Sequence, residues 1–255
     1  MISVRKSSTG FKLTALLSYP GNQGGVTTAL DRLRRAGLPV RLITNTTRQS
    51  RQALQAQLDH WGLGTAPDAL FTPATAARAH LLAHGLEPHL LVHPRLEPEF
   101  DGLPTGGPMA VVVGDAGDAF TYGALNDAFR QLVDGAEFLA LARNRMFTEP
   151  DGPSLDAGPF VAALEYACGR SAHLLGKPAP AFFLEALNSL GLAPAEVAMI
   201  GDDAENDIAG AMTMGCRGIL VQTGKYRPGD ETHIMPAPDA VVADLTEAVA
   251  WLLER

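Results

Sequence analysis

Reactive side chains follow three apolar runs of this sequence, each just after the run ends. They are hydroxyl and amide groups, a lysine and a pair of carboxylates: Thr44, Asn45, Lys177, Asp202 and Asp203. Hydroxyl and amide groups at a strand end can cradle an anion, a lysine supplies a point charge to a phosphate oxygen, and carboxylates are ligands that Mg²⁺ prefers. Because the carboxyl ends of parallel strands meet at one edge of a sheet, the sequence predicts a combined phosphate and magnesium site.

The strongest of these signals is the segment MIGDDAEND at 199–207. An apolar strand here delivers Asp202 at its tip, and Asp207, about one helical turn later, can point back at the same crevice. We therefore predict Asp202, Asp203 and Asp207 as the metal-ligating residues. The alternative for Asp202 and Asp203 is that they only cap the helix that follows.

The lysine and the threonine have plainer alternatives. Lys177 stands in HLLGKP, where the glycine permits close backbone approach and the proline ends the strand, but a lone lysine after a strand is more often solvated. Thr44 and Asn45 stand in LITNTT, which taken alone is typical of an ordinary helix cap. The combination of the three segments favours a phosphate site over these alternatives.

Alternating strand and helix patterns carry these residues. Predicted strands at 11–17 and 38–43 alternate with helices at 27–36 and 50–61, an order typical of a parallel sheet with helices on both faces. The pattern resumes late in the chain, with strands at 172–175, 197–200 and 218–221 and helices at 179–190, 206–214 and 245–253. We therefore predict an α/β fold with a Rossmann-like core formed by 1–74 and 158–255. The intervening segment 75–157, which has strands and helices of its own, is predicted to be an inserted α/β cap domain.

Composition excludes several classes of partner. The 255 residues include 20 basic and 28 acidic side chains, a net charge of -8, which argues against nucleic acid and anionic membrane surfaces as partners. No apolar run approaches the ~20 residues of a membrane span, and the first residues lack the apolar core of a signal peptide. Cys168 and Cys216 are far apart and are expected to be reduced thiols in a cytoplasmic protein.

A family resemblance rests on four segments: GPFVAALEYA from Gly158, GKPAPAFF from Gly176, GDD from Gly201 and VQTGKY from Val221. With the combination above, they make the chain resemble the haloacid dehalogenase superfamily, subclass IIA, over nearly its whole length. Within that subclass it resembles the phospholysine phosphohistidine inorganic pyrophosphate phosphatase-like hydrolases. The resemblance implies a Rossmann-like core with an inserted cap, a Mg²⁺ cofactor, and phosphate or a small phosphorylated molecule as ligand. A homodimer through the cap is implied by the resemblance alone.

The resemblance also implies roles for single residues. Thr44 and Asn45 take the place of the residues that bind the transferred phosphoryl group. Lys177 takes the place of the lysine that neutralises the charge of the nucleophile and the phosphate. Asp202 matches a magnesium ligand. Asp207 matches the acid that supports the metal shell and the lysine, with Asp203 as its neighbour.

The first motif departs from the family pattern. Members have an aspartate nucleophile at the end of the first strand and a second acid two residues later, and the matching positions here are Ser18 and Pro20. A serine hydroxyl is largely protonated at neutral pH and needs a base beside it, which a proline does not supply. Loss of a nucleophile commonly costs about 10⁴-fold or more in rate. We therefore predict a catalytically impaired or inactive protein, a pseudoenzyme, that retains a phosphate or anion site and binds Mg²⁺ with weakened affinity.

Two alternatives stay open from the residues alone. One is a Mg²⁺-dependent hydrolase of small phosphate esters, phosphoramides or pyrophosphate with low or unconventional activity, because Asp202, Asp207 and Lys177 are all present. The other is a serine-based hydrolase, in which His173 would act as the base for Ser18.

Overall fold

A computed structural model describes residues 12–15, 23–64, 66–149 and 151–254. The strands in these ranges are β1 Lys12–Ala15, β2 Val40–Ile43, β3 Leu70–Phe71, β4 Glu87–Leu91, β5 Met109–Val113, β6 Glu137–Ala140, β7 Met146–Glu149, β8 Gly152–Leu155, β9 His173–Leu174, β10 Val197–Gly201, β11 Arg217–Val221 and β12 Ala240–Val242. The α-helices are α1 Gln23–Arg35, α2 Arg51–His60, α3 Pro73–His84, α4 Tyr122–Val133, α5 Ala157–Cys168, α6 Pro180–Leu190, α7 Gly210–Thr213 and α8 Leu245–Leu253. Ser18 and Pro20, and with them the predicted first motif, lie outside the described residues.

The chain divides into two compact units, of which the first comprises the described parts of 1–43, 58–69 and 183–255. Its strands form a parallel sheet in the order β12-β11-β10-β1-β2. All five residues of β10 are buried, as expected of a strand inside a parallel sheet covered on both faces. Gly218 in β11 matters for this packing, since a side chain there would collide with Ile208 and Met212.

The second unit comprises 44–57 and 70–182. It contains a parallel sheet in the order β4-β5-β6-β9 and an antiparallel hairpin of β7 and β8. Successive residues of β5 point to opposite faces of the sheet. Val112 belongs to one buried cluster together with Leu81 of α3, and Val111 belongs to another together with Leu132 of α4 and Val161 of α5. Helices therefore cover both faces of this sheet.

The α/β class, the parallel sheets and the alternation of strands with helices confirm the predicted fold class. The predicted strand at 172–175 is shorter, since only His173 and Leu174 pair, and their partner is β6 of the second unit. The boundaries that the sequence predicts for core and cap stay a prediction. In the part of the chain that the structure describes, no helix combines the length and the apolar character that a membrane crossing requires.

Candidate functional site

Asp202 is a buried carboxylate at the carboxyl end of β10, in the first unit. Its side chain is 1% exposed. One carboxylate oxygen, Oδ2, accepts a hydrogen bond from the backbone amide of Lys225 at 2.7 Å. The other oxygen, Oδ1, is buried and has no hydrogen-bond partner among the described residues. A buried acceptor without a partner is costly, and more so when charged, so this atom is suited to a cation.

Asp203 differs from its neighbour because it acts as a helix cap. Its carboxylate accepts bonds from the backbone amide and the side-chain amide of Asn206, both at 2.9 Å, and lies 3.4 Å from the Lys225 ammonium. The capping alternative therefore describes Asp203 correctly, whereas the carboxylate of Asp202 accepts its bond from a distant loop. These contacts use both carboxylate oxygens of Asp203, which makes it a weaker candidate metal ligand than Asp202.

Asp207 is fully buried in the same segment, and we call Asp202, Asp203 and Asp207 together the aspartate cluster. Its Oδ2 accepts a bond from the backbone amide of Asp203 at 3.4 Å. Gly201 is required for this approach, since a β-carbon at that position would overlap the Asp207 carboxylate. The segment that carries Asp207, Ala204–Ala209, is a π-helical turn rather than the first part of the predicted α-helix. Such turns are frequent at functional sites, and aspartate carboxylates are oxygen donors of the type that Mg²⁺ prefers.

The predicted phosphate-binding residues lie in the second unit, where Asn45 clamps the backbone of Lys177. Asn45 Oδ1 accepts the Lys177 amide at 2.8 Å, and Asn45 Nδ2 donates to the Lys177 carbonyl at 2.9 Å. A side chain at Gly176 would collide with the Leu141 carbonyl and with Asn45, so glycine permits the approach. Lys177 is 3% exposed, and the alternative of a solvated lysine is therefore wrong. Both ends of the Asn45 amide are engaged, so this residue positions Lys177.

Thr44 forms a tight turn beside this clamp. Its backbone amide donates to the Phe71 carbonyl at 3.1 Å, and its hydroxyl accepts the amide of Thr46 at 3.2 Å. The hydroxyl proton stays available for donation to an anion, since the contact with Thr46 uses only a lone pair. The helix that follows begins at Arg51, with the Ser50 hydroxyl accepting the Ala53 amide at 3.3 Å, so Thr44 is not its cap.

A further ion-pair network, which the sequence analysis missed, starts three residues after Asn45. Arg48 Nε lies 2.5 Å from Asp115 Oδ2, and Arg48 Nη1 lies 3.1 Å from Glu149 Oε1. The guanidinium stacks 4.4 Å from the centre of the Phe147 ring. Asp115 also accepts the Gly117 amide at 3.0 Å. No sequence signal pairs residues 67 positions apart, so only the folded chain reveals this network.

His173, the hypothetical base of the serine-based alternative, lies elsewhere in the second unit. Its side chain is half exposed, and its Nδ1 lies 3.9 Å from a carboxylate oxygen of Glu137. It stands at the amino-terminal end of β9, whereas Lys177 follows the carboxyl end. The ring is therefore engaged at the edge of this sheet opposite to the Lys177 turn.

Comparisons with known proteins agree on one family. A model described as haloacid dehalogenase-like hydrolase matches residues 18–102, and a model described as HAD-hydrolase-like matches 174–248. Haloacid dehalogenase-like hydrolase domain-containing protein 2 of Bos taurus is 45% identical over 231 residues, which cover 91% of this chain and 89% of the relative. Phospholysine phosphohistidine inorganic pyrophosphate phosphatase of Homo sapiens is 41% identical over 245 residues, covering 93% and 91%.

Solved structures show the same fold. A 4-nitrophenylphosphatase from Thermotoga maritima superposes with a TM-score of 0.85 at 25% identity, covering 95% of this chain and 97% of its own. NagD from Escherichia coli superposes with a TM-score of 0.82 at 22% identity, covering 94% and 98%. The extent and identity of these matches show that the chain belongs to the haloacid dehalogenase superfamily, subclass IIA.

Proposed function

We propose that this protein binds phosphate or a small phosphorylated molecule together with Mg²⁺ and turns it over slowly or not at all. Thr44, Asn45 and Lys177 serve the phosphate, and Asp202, Asp207 and, more weakly, Asp203 serve the metal. Its role is then binding or regulation rather than efficient hydrolysis. The names of its relatives suggest phosphomonoesters, phosphoramides and pyrophosphate as the ligand class.

The observation that carries the proposal is the buried Oδ1 of Asp202, which has no hydrogen-bond partner within the described ranges of the chain. A chain with no use for a cation would gain stability from a neutral or hydrogen-bonded residue at this position. The fully buried Asp207 adds a second carboxylate to the same segment. When bound, Mg²⁺ would be held by these carboxylates and would act as a Lewis acid.

The buried Lys177 supports the phosphate half of the proposal. Lys177 as a residue is 3% exposed, and an ammonium in buried surroundings attracts a phosphate dianion more strongly than a solvated ammonium does. Asn45 fixes the backbone of Lys177 from both sides, which limits the positions the ammonium can reach. Thr44 can donate its hydroxyl proton to the same type of ligand.

Impaired chemistry follows from the residues in the first motif. Ser18 occupies the nucleophile position and its hydroxyl needs a general base, whereas Pro20 in the acid position has no titratable group. With neither acid, the protein can position a phosphoryl group but lacks the carboxylate that would attack it. The expected loss is about 10⁴-fold or more relative to an intact relative.

The decisive experiment compares the natural chain with a variant in which the acids are restored. We expect the natural protein to bind phosphate and Mg²⁺ in isothermal titration, with turnover of generic phosphomonoesters and pyrophosphate far below about 1 s⁻¹, an ordinary enzyme value. The double variant Ser18→Asp, Pro20→Asp should gain turnover by several orders of magnitude. Turnover by the natural chain above that value would end the proposal.

A second function, slow Mg²⁺-dependent hydrolysis by an unconventional group, is favoured by the retention of Asp202, Asp207 and Lys177 as buried residues. Asp202→Ala separates the two. Genuine metal-dependent activity of the natural chain should vanish in this variant, whereas activity that persists comes from a contaminant.

A homodimer through the cap is also proposed, and light scattering of the purified protein tests it.

A further inference from the structure

We propose that His80, Glu137 and His173 form a second metal site, which binds Zn²⁺ or a similar transition-metal ion. Each residue offers one ligand atom, and the three atoms lie within 4.8 Å of one another. The site is independent of the proposed phosphate chemistry, and no residue belongs to both. It lies wholly within the second unit.

The distances inside the cluster can be compared with those between the ligands of a zinc ion. His80 Nε2 lies 2.8 Å from Glu137 Oε1, and His173 Nδ1 lies 3.9 Å from the same oxygen. Zinc bonds of 2.0–2.2 Å place neighbouring ligand atoms of a tetrahedron roughly 3.4 Å apart. The two observed separations lie on either side of this value, and all three ligand atoms lie within 4.8 Å of one another.

Regular secondary structure holds all three ligands. His80 lies on α3, Glu137 is the first residue of β6, and His173 is the first residue of β9, which pairs with β6. Neighbouring strands fix the spacing of Glu137 and His173, and the helix that packs on the same sheet brings His80 to the amino-terminal edge of these strands. A site built on such elements keeps its geometry better than a site on loops.

The donor set distinguishes this cluster from the aspartates after β10. Two imidazoles and one carboxylate suit zinc and related ions and match the ligand set of known catalytic zinc sites, whereas an all-carboxylate set suits Mg²⁺. The side chains of His80, Glu137 and His173 are 16%, 36% and 50% exposed, so an ion has an entry path and water can take the fourth position. His84 flanks the site, with its ring centre 4.2 Å from that of His80.

An ordinary histidine–glutamate hydrogen bond accounts for the contact of His80 with Glu137. It does not account for the position of His173. The ring of His173 approaches that of His80 edge-on, with 5.3 Å between the ring centres. Its Nδ1 lies 3.9 Å from the same Glu137 oxygen. The convergence of two imidazole rings on one carboxylate oxygen is what a shared cation would organise.

The position of the cluster places the ion far along β9 from the predicted phosphate loop. From His173 to Lys177 the chain advances four residues, roughly 13 Å if extended, so the metal would lie at the opposite edge of the sheet from the phosphate loop. β9 has only two paired residues. A metal that joins β9 to α3 and β6 would hold this short edge strand, and with it the start of the segment that leads to Lys177.

The test is titration of the full-length, chelator-treated protein with Zn²⁺ in excess Mg²⁺, so that any Mg²⁺ site at the aspartate cluster is filled. We expect one site per chain, visible d–d absorption when Co²⁺ replaces Zn²⁺, and a Tm rise of about 5 °C or more at a hundredfold excess of Zn²⁺ over Kd. The variants Glu137→Gln and His173→Ala should each weaken binding at least about tenfold. His60→Ala, which removes an exposed histidine at the end of α2, should bind as the natural chain does.

Two controls keep the outcome unambiguous. The variants must melt like the natural chain when metal-free, and Glu137→Gln, which preserves shape, is the variant least expected to disturb folding. Repeating the titration in an Asp202→Asn background removes the aspartate cluster as a competing zinc site, and the single site should persist. Absence of stoichiometric Zn²⁺ binding by the natural chain, or equal binding by Glu137→Gln and His173→Ala, would overturn the proposal.

Discussion

Asparagine in place of Asp202 should separate the stability of this chain from its metal binding. The carboxylate has one partnered oxygen, bonded to the Lys225 amide at 2.7 Å, and one buried oxygen with no partner among the described residues. An unsatisfied buried group costs about 1–3 kcal/mol, and more when charged. Asparagine keeps an oxygen for Lys225 and removes the charge. We therefore expect the metal-free variant to match the natural chain in free energy of unfolding to within about 1 kcal/mol, or to exceed it.

With Mg²⁺ present the order should reverse. At free Mg²⁺ one hundred times Kd, binding adds about 2.7 kcal/mol to the natural chain, which corresponds to a Tm rise of about 5–10 °C for a chain of this size. Asp202→Asn should show no such rise. Differential scanning calorimetry with and without Mg²⁺ measures both quantities, and Asp118→Asn, at an exposed aspartate of the second unit, is the matched control.

Two results would refute this reasoning about Asp202. One is a Mg²⁺-induced Tm rise in Asp202→Asn equal to that of the natural chain, because the carboxylate would then not bind the metal. The other is a metal-free loss larger than about 2 kcal/mol, which would mean that the charge is stabilised within the protein itself.

Three further predictions concern other residues. Asn45→Ala removes both hydrogen bonds to the Lys177 backbone. The free energy of unfolding in urea should fall by about 1–3 kcal/mol, and phosphate binding should weaken. An unchanged Kd for phosphate would contradict the positioning role of Asn45. The hydroxyl of Ser154 and the guanidinium of Arg48 lower the pKa of Glu149 in the folded protein. The Glu149 carboxylate therefore stabilises the fold above the unfolded-state pKa of 4.5. This stabilisation is lost as pH falls through the lower pKa of the folded state. In Glu149→Gln the urea concentration at the unfolding midpoint should therefore change less with pH on the acid side than it does in the natural chain. Identical pH profiles for the two proteins would contradict this role of Glu149. Burial raises the pKa of the Cys216 thiol to about 11. At pH 8 iodoacetamide should therefore modify Cys216 only after the protein unfolds. Mass spectrometry of the native and the denatured protein after this treatment measures the modification.

Much of the fold could be predicted from the sequence because its signals are local. Apolar runs that end in glycine and a charged residue mark the carboxyl ends of parallel strands, and HLLGKP and MIGDDAEND both have this form. The family follows from the same segments, and the comparisons confirm it. The resemblance also predicts that Ser18 and Pro20 stand where the family has acids, and this stays a prediction because both lie outside the described residues.

The tertiary structure decided what each of these side chains contacts. Asp202 and Asp203 are adjacent and chemically identical, yet one has a buried oxygen that no residue in the described part of the chain bonds, and the other caps a π-helical turn. Asn45 is a backbone clamp because the Lys177 turn, 132 positions away, folds against it. A carboxylate or an amide finds its partners through space, and no local pattern encodes which distant backbone will lie 3 Å away.

The histidine cluster is the clearest case of this division. His80, Glu137 and His173 are each unremarkable in their local sequence, and they come from one helix and two strands. They converge because β6 and β9 pair in parallel and α3 packs on their sheet. Residue types and strand ends were determined by the sequence, whereas the convergence of donor atoms depended on packing, which sums many weak contacts over the whole chain.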